Sequence, residues 1–308
     1  MKRKRLSMIL TVFSMGVLIL DSRNTMRYAA EGIQLCIQAV IPSLFPFFVR
    51  SIFLTGNLSP KNTVASVILA GFLGGYPVGA QAAAESVRNG RFSREQGNRL
   101  LLFCSQAGPA FLFGMVAPQF PERKYVWFLW AVQILSGASV AALTPGVDSH
   151  MRIPEDQPGI SLPEAMKSAV RAIASVCGWV VLFRVILGYL CRIPLDGNWK
   201  ILLSGLTELT NGCLQLEDVE NPDFRFLLAA VMLNWGGICV FLQTASVARG
   251  LNLKYYLLGK LLQTGFSLLY SLGFLGFWQA LIPIFGVIYL FRRRIPVKRS
   301  SIPAEVGV

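Results

Sequence analysis

Asn62–Ala84 reads NTVASVILAGFLGGYPVGAQAAA and contains no Asp, Glu, Lys or Arg. It is long enough to cross a bilayer, which takes roughly 20 apolar residues. Its centre, Gly74-Gly75-Tyr76-Pro77, does not suit a continuous helix, because glycine loosens the backbone and proline removes a donor. The segment is therefore either a plain span or a broken hairpin that leaves on the side it entered. Five more uncharged runs of this length follow the same composition: Gly32–Val49, Leu100–Phe120, Tyr125–Thr144, Phe226–Val247 and Leu261–Phe291. Length alone, 308 residues, would suit two soluble domains. With 54% hydrophobic and 15% charged residues and a mean hydropathy of +0.53, the chain lacks the polar surface such domains need. The class is all-α, a polytopic membrane protein.

Charge orients it. The net charge is +13, and nine cations lie at the ends: Lys2, Arg3, Lys4 and Arg5, then Arg292, Arg293, Arg294, Lys298 and Arg299. Such ends read as cytoplasmic anchors on an anionic leaflet. Nucleic acid is not an expected partner, since no aromatic-basic interleaving accompanies these runs. If Asn62–Ala84 and Trp199–Leu216 are both re-entrant, eight crossings remain, near 6–20, 30–54, 99–120, 125–144, 166–190, 225–247, 255–271 and 273–291. Both termini and Arg88, Arg91, Arg94 and Arg99 then share the inner side, and Glu217-Asp218-Val219-Glu220 lies outside.

The chain divides into residues 1–27 (basic end and first span), 28–144 (first repeat), 145–163 (polar linker), 164–291 (second repeat) and 292–308 (basic tail). Each half opens with an amphipathic-to-apolar helix, about 28–54 and about 165–191. A broken segment follows, Gly71–Gln81 in one half and Gly205–Gly212 in the other. Next comes an apolar span interrupted at Ser105-Gln106-Ala107-Gly108-Pro109 or at Asn234-Trp235-Gly236-Gly237. The offset is about 130 residues throughout, and three crossings per half make the repeats inverted. Ser93-Arg-Glu-Gln96 and Ser161-Leu-Pro-Glu164 are capping-box patterns that start helices.

Nothing resembles an enzyme site: there is no metalloprotease, nucleophile-elbow or phosphate-loop pattern. The six cysteines are scattered without a Cys-x-x-Cys pair, and the single histidine, His150, lies in the linker, so no metal or other cofactor is implied. The informative residues are polar groups inside apolar runs, which are costly unless they face a cavity or a partner. The candidates for solute binding are Gly75, Tyr76, Gln81, Ser105, Gln106, Gly108, Glu208, Thr210, Asn211, Asn234, Gly236 and Gln243. Pro109, in the first turn of a half-helix, leaves N–H groups facing the break, a geometry that suits an anion. Small-residue packing between helices would use the same sequence. Glu208 is the candidate for proton or cation coupling. Arg184 could pair with a substrate carboxylate or with Glu208, or reach a headgroup.

The strings Val40-Ile-Pro-Ser-Leu-Phe-Pro46, Gly74-Gly-Tyr-Pro-Val-Gly-Ala80 and Phe103-Cys-Ser-Gln-Ala-Gly-Pro109 resemble the sporulation integral membrane protein YlbJ (SpoVV) family. Gly205-Leu-Thr-Glu208-Leu-Thr-Asn-Gly212 and Asn234–Gln243 resemble its second nucleoside-recognition, or Gate, repeat. The resemblance covers most of residues 28–272. It implies transport of dipicolinic acid, a small planar dianion, across the outer forespore membrane. Two inverted half-helix N-termini would meet its carboxylates, and Tyr76 or Trp235 would stack on its ring. The lipid bilayer and a dipicolinate-like solute are then the partners, with a homo-oligomer or sporulation membrane partners left open. A nucleoside carrier and a non-transporting sporulation scaffold are the alternatives.

Overall fold

The structure, a computed structural model, describes residues 2–57, 63–144, 159–192, 194 and 197–277, with a few positions between 279 and 287. Most of the expected linker, the basic tail and much of the last expected crossing lie outside these residues. The described residues form helices and no strand. In chain order these are α1 (Lys2–Leu20), α2 (Ser22–Leu35), α3 (Ile41–Gly56), α4 (Thr63–Gly74), α5 (Val78–Arg88), α6 (Arg94–Leu101), α7 (Pro109–Phe111), α8 (Arg123–Ala142), α9 (Leu162–Leu190), α10 (Gly197–Thr207), α11 (Leu209–Leu214), α12 (Pro222–Trp235), α13 (Gly237–Val247) and α14 (Leu253–Phe274). A π turn, Cys36–Val40, joins α2 to α3, and a second, Leu112–Val116, extends α7.

Four helical stretches are long and apolar enough to cross a bilayer: Ser22–Leu54, Arg123–Ala142, Leu162–Leu190 and Pro222–Val247. The chain is an integral membrane protein on this evidence. Of the other expected crossings, α14 is 22 residues long but carries Lys254 and Lys260. The Leu100–Phe120 run is interrupted between α6 and α7, where residues 102–108 leave the helix. Only Thr11–Leu20 of α1 is a strongly apolar stretch.

Both expected capping boxes form. Ser93 accepts from the Gln96 amide and Gln96 from the Ser93 amide; Ser161 and Glu164 do the same at α9. Each satisfies two donors that a helix start leaves open. Asn221 and Asn252 cap α12 and α14.

The scaffold is two helix pairs. The α2–α3 rod lies along α9, with Tyr28 edge-on to Tyr189 at 5.8 Å. Helix α8 lies along α14, with Phe128 stacked on Phe274 at 4.9 Å and Ser139 bonded to the Tyr270 hydroxyl at 2.7 Å.

Between these pairs sit two hairpins, α4–α5 and α10–α11. Their arms touch at glycines. A Cβ on Gly79 would lie 2.6 Å from Gly71 Cα and 1.8 Å from the Cys104 carbonyl oxygen; one on Gly212 would lie 2.2 Å from Gly205 Cα. Backbone against backbone is what bare glycine permits.

Gly79→Ala and Gly212→Ala should therefore each lower the thermal midpoint of the purified protein in detergent. The expected cost is about 3 kcal/mol, since neither obstructing atom belongs to a flexible side chain. Gly178→Ala, where nothing lies within 4 Å, should be neutral or slightly stabilising.

Candidate functional site

Each hairpin ends in a tip, and each tip meets an interrupted helix. In the first, the chain leaves α4 at Gly74 and re-enters α5 at Val78. A Cβ on Gly75 would lie 2.8 Å from the Gly108 amide nitrogen, so this tip rests on the break before α7. In the second, Glu208 alone interrupts α10 and α11. A Cβ on Gly237 would lie 3.2 Å from the Thr207 oxygen, so that tip rests on the break before α13. Gly236 and Gly237 hold φ of 82° and 84°, the left-handed region that glycine enters without steric cost.

The tips are tied across the molecule. Tyr76 donates to the Leu233 carbonyl at 3.0 Å, linking the first tip to the second break. Trp235 donates to the Leu206 carbonyl at 3.2 Å. Glu208, 2% exposed, accepts from the Thr210 amide at 3.1 Å, from the Asn211 amide at 2.7 Å and from Asn211 Nδ2 at 2.6 Å. The donors at the start of α11 are thus taken by the chain's own carboxylate. Arg184 does not reach Glu208 directly. It donates to Glu31 at 2.6 Å and to Asn211 Oδ1 at 3.2 Å, so Asn211 bridges the two.

A cavity lies between the tips. Gly75, Tyr76, Gly108, Glu208, Thr210 and Gln243 border it, with Val176 and Val180 of α9. It offers about 40 Å³ to the centres of water molecules, room for about three. Two larger cavities flank it. One, of about 210 Å³, is bordered by Ser168, Ser66, Asn89 and Arg91; the other, of about 510 Å³, by Gly188, Arg192, Lys200 and Gln215. Helix α9 touches all three in turn. Ser168 to Gly188 spans about 30 Å at 1.5 Å per residue, the thickness of a bilayer's hydrocarbon core. Both ends of the α4–α5 hairpin border the Ser168 cavity, and both ends of α10–α11 border the Gly188 cavity.

The chain is similar to the sporulation integral membrane protein YlbJ of Bacillus subtilis (strain 168). Identity is 22% over an alignment covering 82% of this chain and 78% of that protein. The YlbJ resemblance read from the motifs thus holds along most of the chain. No family model and no solved structure matches.

The remaining sequence candidates distribute around the site. Gln81 borders the Ser168 cavity instead of the central one. Asn211 borders the Gly188 cavity. Ser105 and Gln106 lie behind the first tip, and Asn234 is buried below Gly236, donating to Ala230 within its own helix at 3.0 Å. Sequence reasoning passed over Lys260, Gln263 and Gln133. Lys260, 1% exposed, donates to the Tyr76 hydroxyl at 2.8 Å and to the Ser105 carbonyl at 2.5 Å. Gln133 donates to the Ala107 carbonyl at 2.9 Å. The available signal was Lys260 directly before the uncharged run Leu261–Phe291, well inside a helix-length apolar segment. At the mouth of the Gly188 cavity, Arg192 bonds Asp21 and holds its carboxyl below the usual range.

Tyr76→Phe removes one acceptor from Lys260 and the donor to Leu233. It should cost about 2 kcal/mol, from the buried groups left unpaired. A melt of the variant in detergent beside wild type measures it; an unchanged midpoint would show that these bonds do not hold the tip.

Proposed function

We propose that the chain is a carrier for a small anionic aromatic solute, working by alternating access. The observation that carries the reading is the stack of three cavities along α9, the middle and smallest one lying between the two tips. Solute and ion sites between interrupted helices near the bilayer midplane are how many secondary transporters are built. A space for about three waters is too small for an aromatic ring, so loading requires one tip to withdraw. Withdrawal of the α4–α5 tip would open the site to the Ser168 end, and withdrawal of the α10–α11 tip to the Gly188 end.

We read the halves as inverted repeats with two re-entrant hairpins. The first helix of each half packs on the first of the other, and the last on the last, as a two-fold relation requires. Arg91 of the Arg-rich turn borders the Ser168 cavity, and Gln215, two residues before the acidic loop, borders the Gly188 cavity, which favours a cytoplasmic Ser168 end with both termini there. The cargo follows from the family resemblance: dipicolinate, moved across the outer forespore membrane during sporulation. YlbJ is named a sporulation protein, which supports that setting. Lys200 at the Gly188 mouth, beside an Arg192 already paired with Asp21, would favour entry of an anion. Glu208, at the tip and facing the solute, is the coupling group.

Proteoliposomes holding the protein should take up labelled dipicolinate. Glu208→Gln should cut the initial rate at least tenfold while inserting normally. Uptake of labelled nucleoside instead would reassign the cargo. No uptake of either, with Glu208→Gln, Ser105→Ala and Asn234→Ala all supporting normal spore dipicolinate in a sporulating host, would leave a scaffold.

A further inference from the structure

Lys260 is the most unusual charge in the molecule. It is 1% exposed, in the middle of α14, and among the described residues no carboxylate pairs with it. An isolated buried ammonium is costly unless its protons are satisfied. Here all three have oxygen acceptors: the Tyr76 hydroxyl at 2.8 Å, the Ser105 carbonyl at 2.5 Å and Gln263 Oε1 at 2.8 Å. The Tyr76 ring centroid lies 4.7 Å away and that of Tyr256 5.8 Å, so aromatic faces complete the surroundings.

Every acceptor is neutral, and they come from separate elements: a hairpin tip, an unwound backbone and α14 itself. The Ser105 carbonyl is free because residues 102–108 are not helical. Gln263 braces the same segment, donating to the Leu102 carbonyl at 2.6 Å and accepting from Gln106 Nε2 at 2.8 Å. Helix α14 is pressed onto this segment, since a Cβ on Gly259 would lie 2.1 Å from the Leu102 oxygen. Neutral oxygens converging where a helix unwinds are the surroundings in which membrane carriers hold a monovalent cation.

We propose that Lys260 is the resident cation of this crossing, its ammonium filling a cage that would otherwise need a bound monovalent ion. The charge holds the first tip against its break and, through the Tyr76 bond to Leu233, against the second break as well. Because the cation is covalently part of α14, closure of the site consumes no sodium from either side of the membrane. The inference concerns the cage and does not depend on which solute the carrier moves.

The test uses the full-length protein in detergent, with sodium, methylammonium or choline chloride as the only salt. The wild-type thermal midpoint should be the same in all three. Lys260→Ala leaves the three oxygens around a space open to a small cation. In choline it should melt about 5 °C or more below wild type. Methylammonium should restore at least half of that loss, whereas choline, being too large, should not. Lys260→Met, which fills the space without charge, should be destabilised and not restored. Three results would overturn the proposal: a wild type that sodium stabilises relative to choline, a folded Lys260→Ala that methylammonium leaves unchanged, or a Lys260→Met as stable as wild type. If Lys260→Ala does not insert, the wild-type comparison and Lys260→Met still decide.

Discussion

A helix that stops inside hydrocarbon exposes amides and carbonyls that lipid cannot bond, and each one left bare costs several kcal/mol. Among the described residues four helices are interrupted within apolar segments, and the molecule is arranged around closing these breaks. The two hairpin tips are pressed onto the two interrupted helices. Glycines at 75, 108 and 237 let backbone meet backbone without an intervening side chain. Side chains then take up what the backbone cannot: Glu208 binds the first amides of α11, Gln263 and Lys260 take the Leu102 and Ser105 carbonyls, and Gln133 takes the Ala107 carbonyl. The polar interior follows from the need to seal the breaks.

The interruptions themselves were legible in the sequence. Gly74-Gly75-Tyr76-Pro77, Ser105–Pro109, the Glu208 region and Asn234–Gly237 each pair torsional freedom or a missing donor with a polar group inside an apolar run. The structure breaks at each of them. The two capping boxes were equally plain, because a cap is written within four residues.

The partners of these groups were not legible. Lys260 meets Tyr76 across 184 residues and Gln263 meets Gln106 across 157, and no local period records such pairings. Gln81 sits less than one turn beyond Val78 on α5, and both residues border the Ser168 cavity and not the central one. Arg184 shows the same limit from another side. Its sequence setting allowed Glu208, a headgroup or a substrate, whereas the fold brings Glu31 from α2 within 2.6 Å. The number of crossings is likewise not a matter of counting apolar runs, since residues 102–108 of Leu100–Phe120 leave the helix and α14 carries buried charge.

Val176 and Val180 give the central cavity one wall made of β-branched residues on an unbroken helix of 29 residues. Such side chains have little rotational freedom, and a continuous helix bends gently or not at all. Val40 and Leu44 of the Ser22–Leu54 stretch extend this wall, and facing it are Gly75 and Tyr76 of the first tip and Glu208 and Thr210 of the second, each beside an interruption. The site is thus asymmetric in stiffness, an anvil opposed by two fingers. Were a molecule to bind there, the anvil would set shape selectivity, and the fingers, whose hydrogen bonds would have to open, would govern how long it stays.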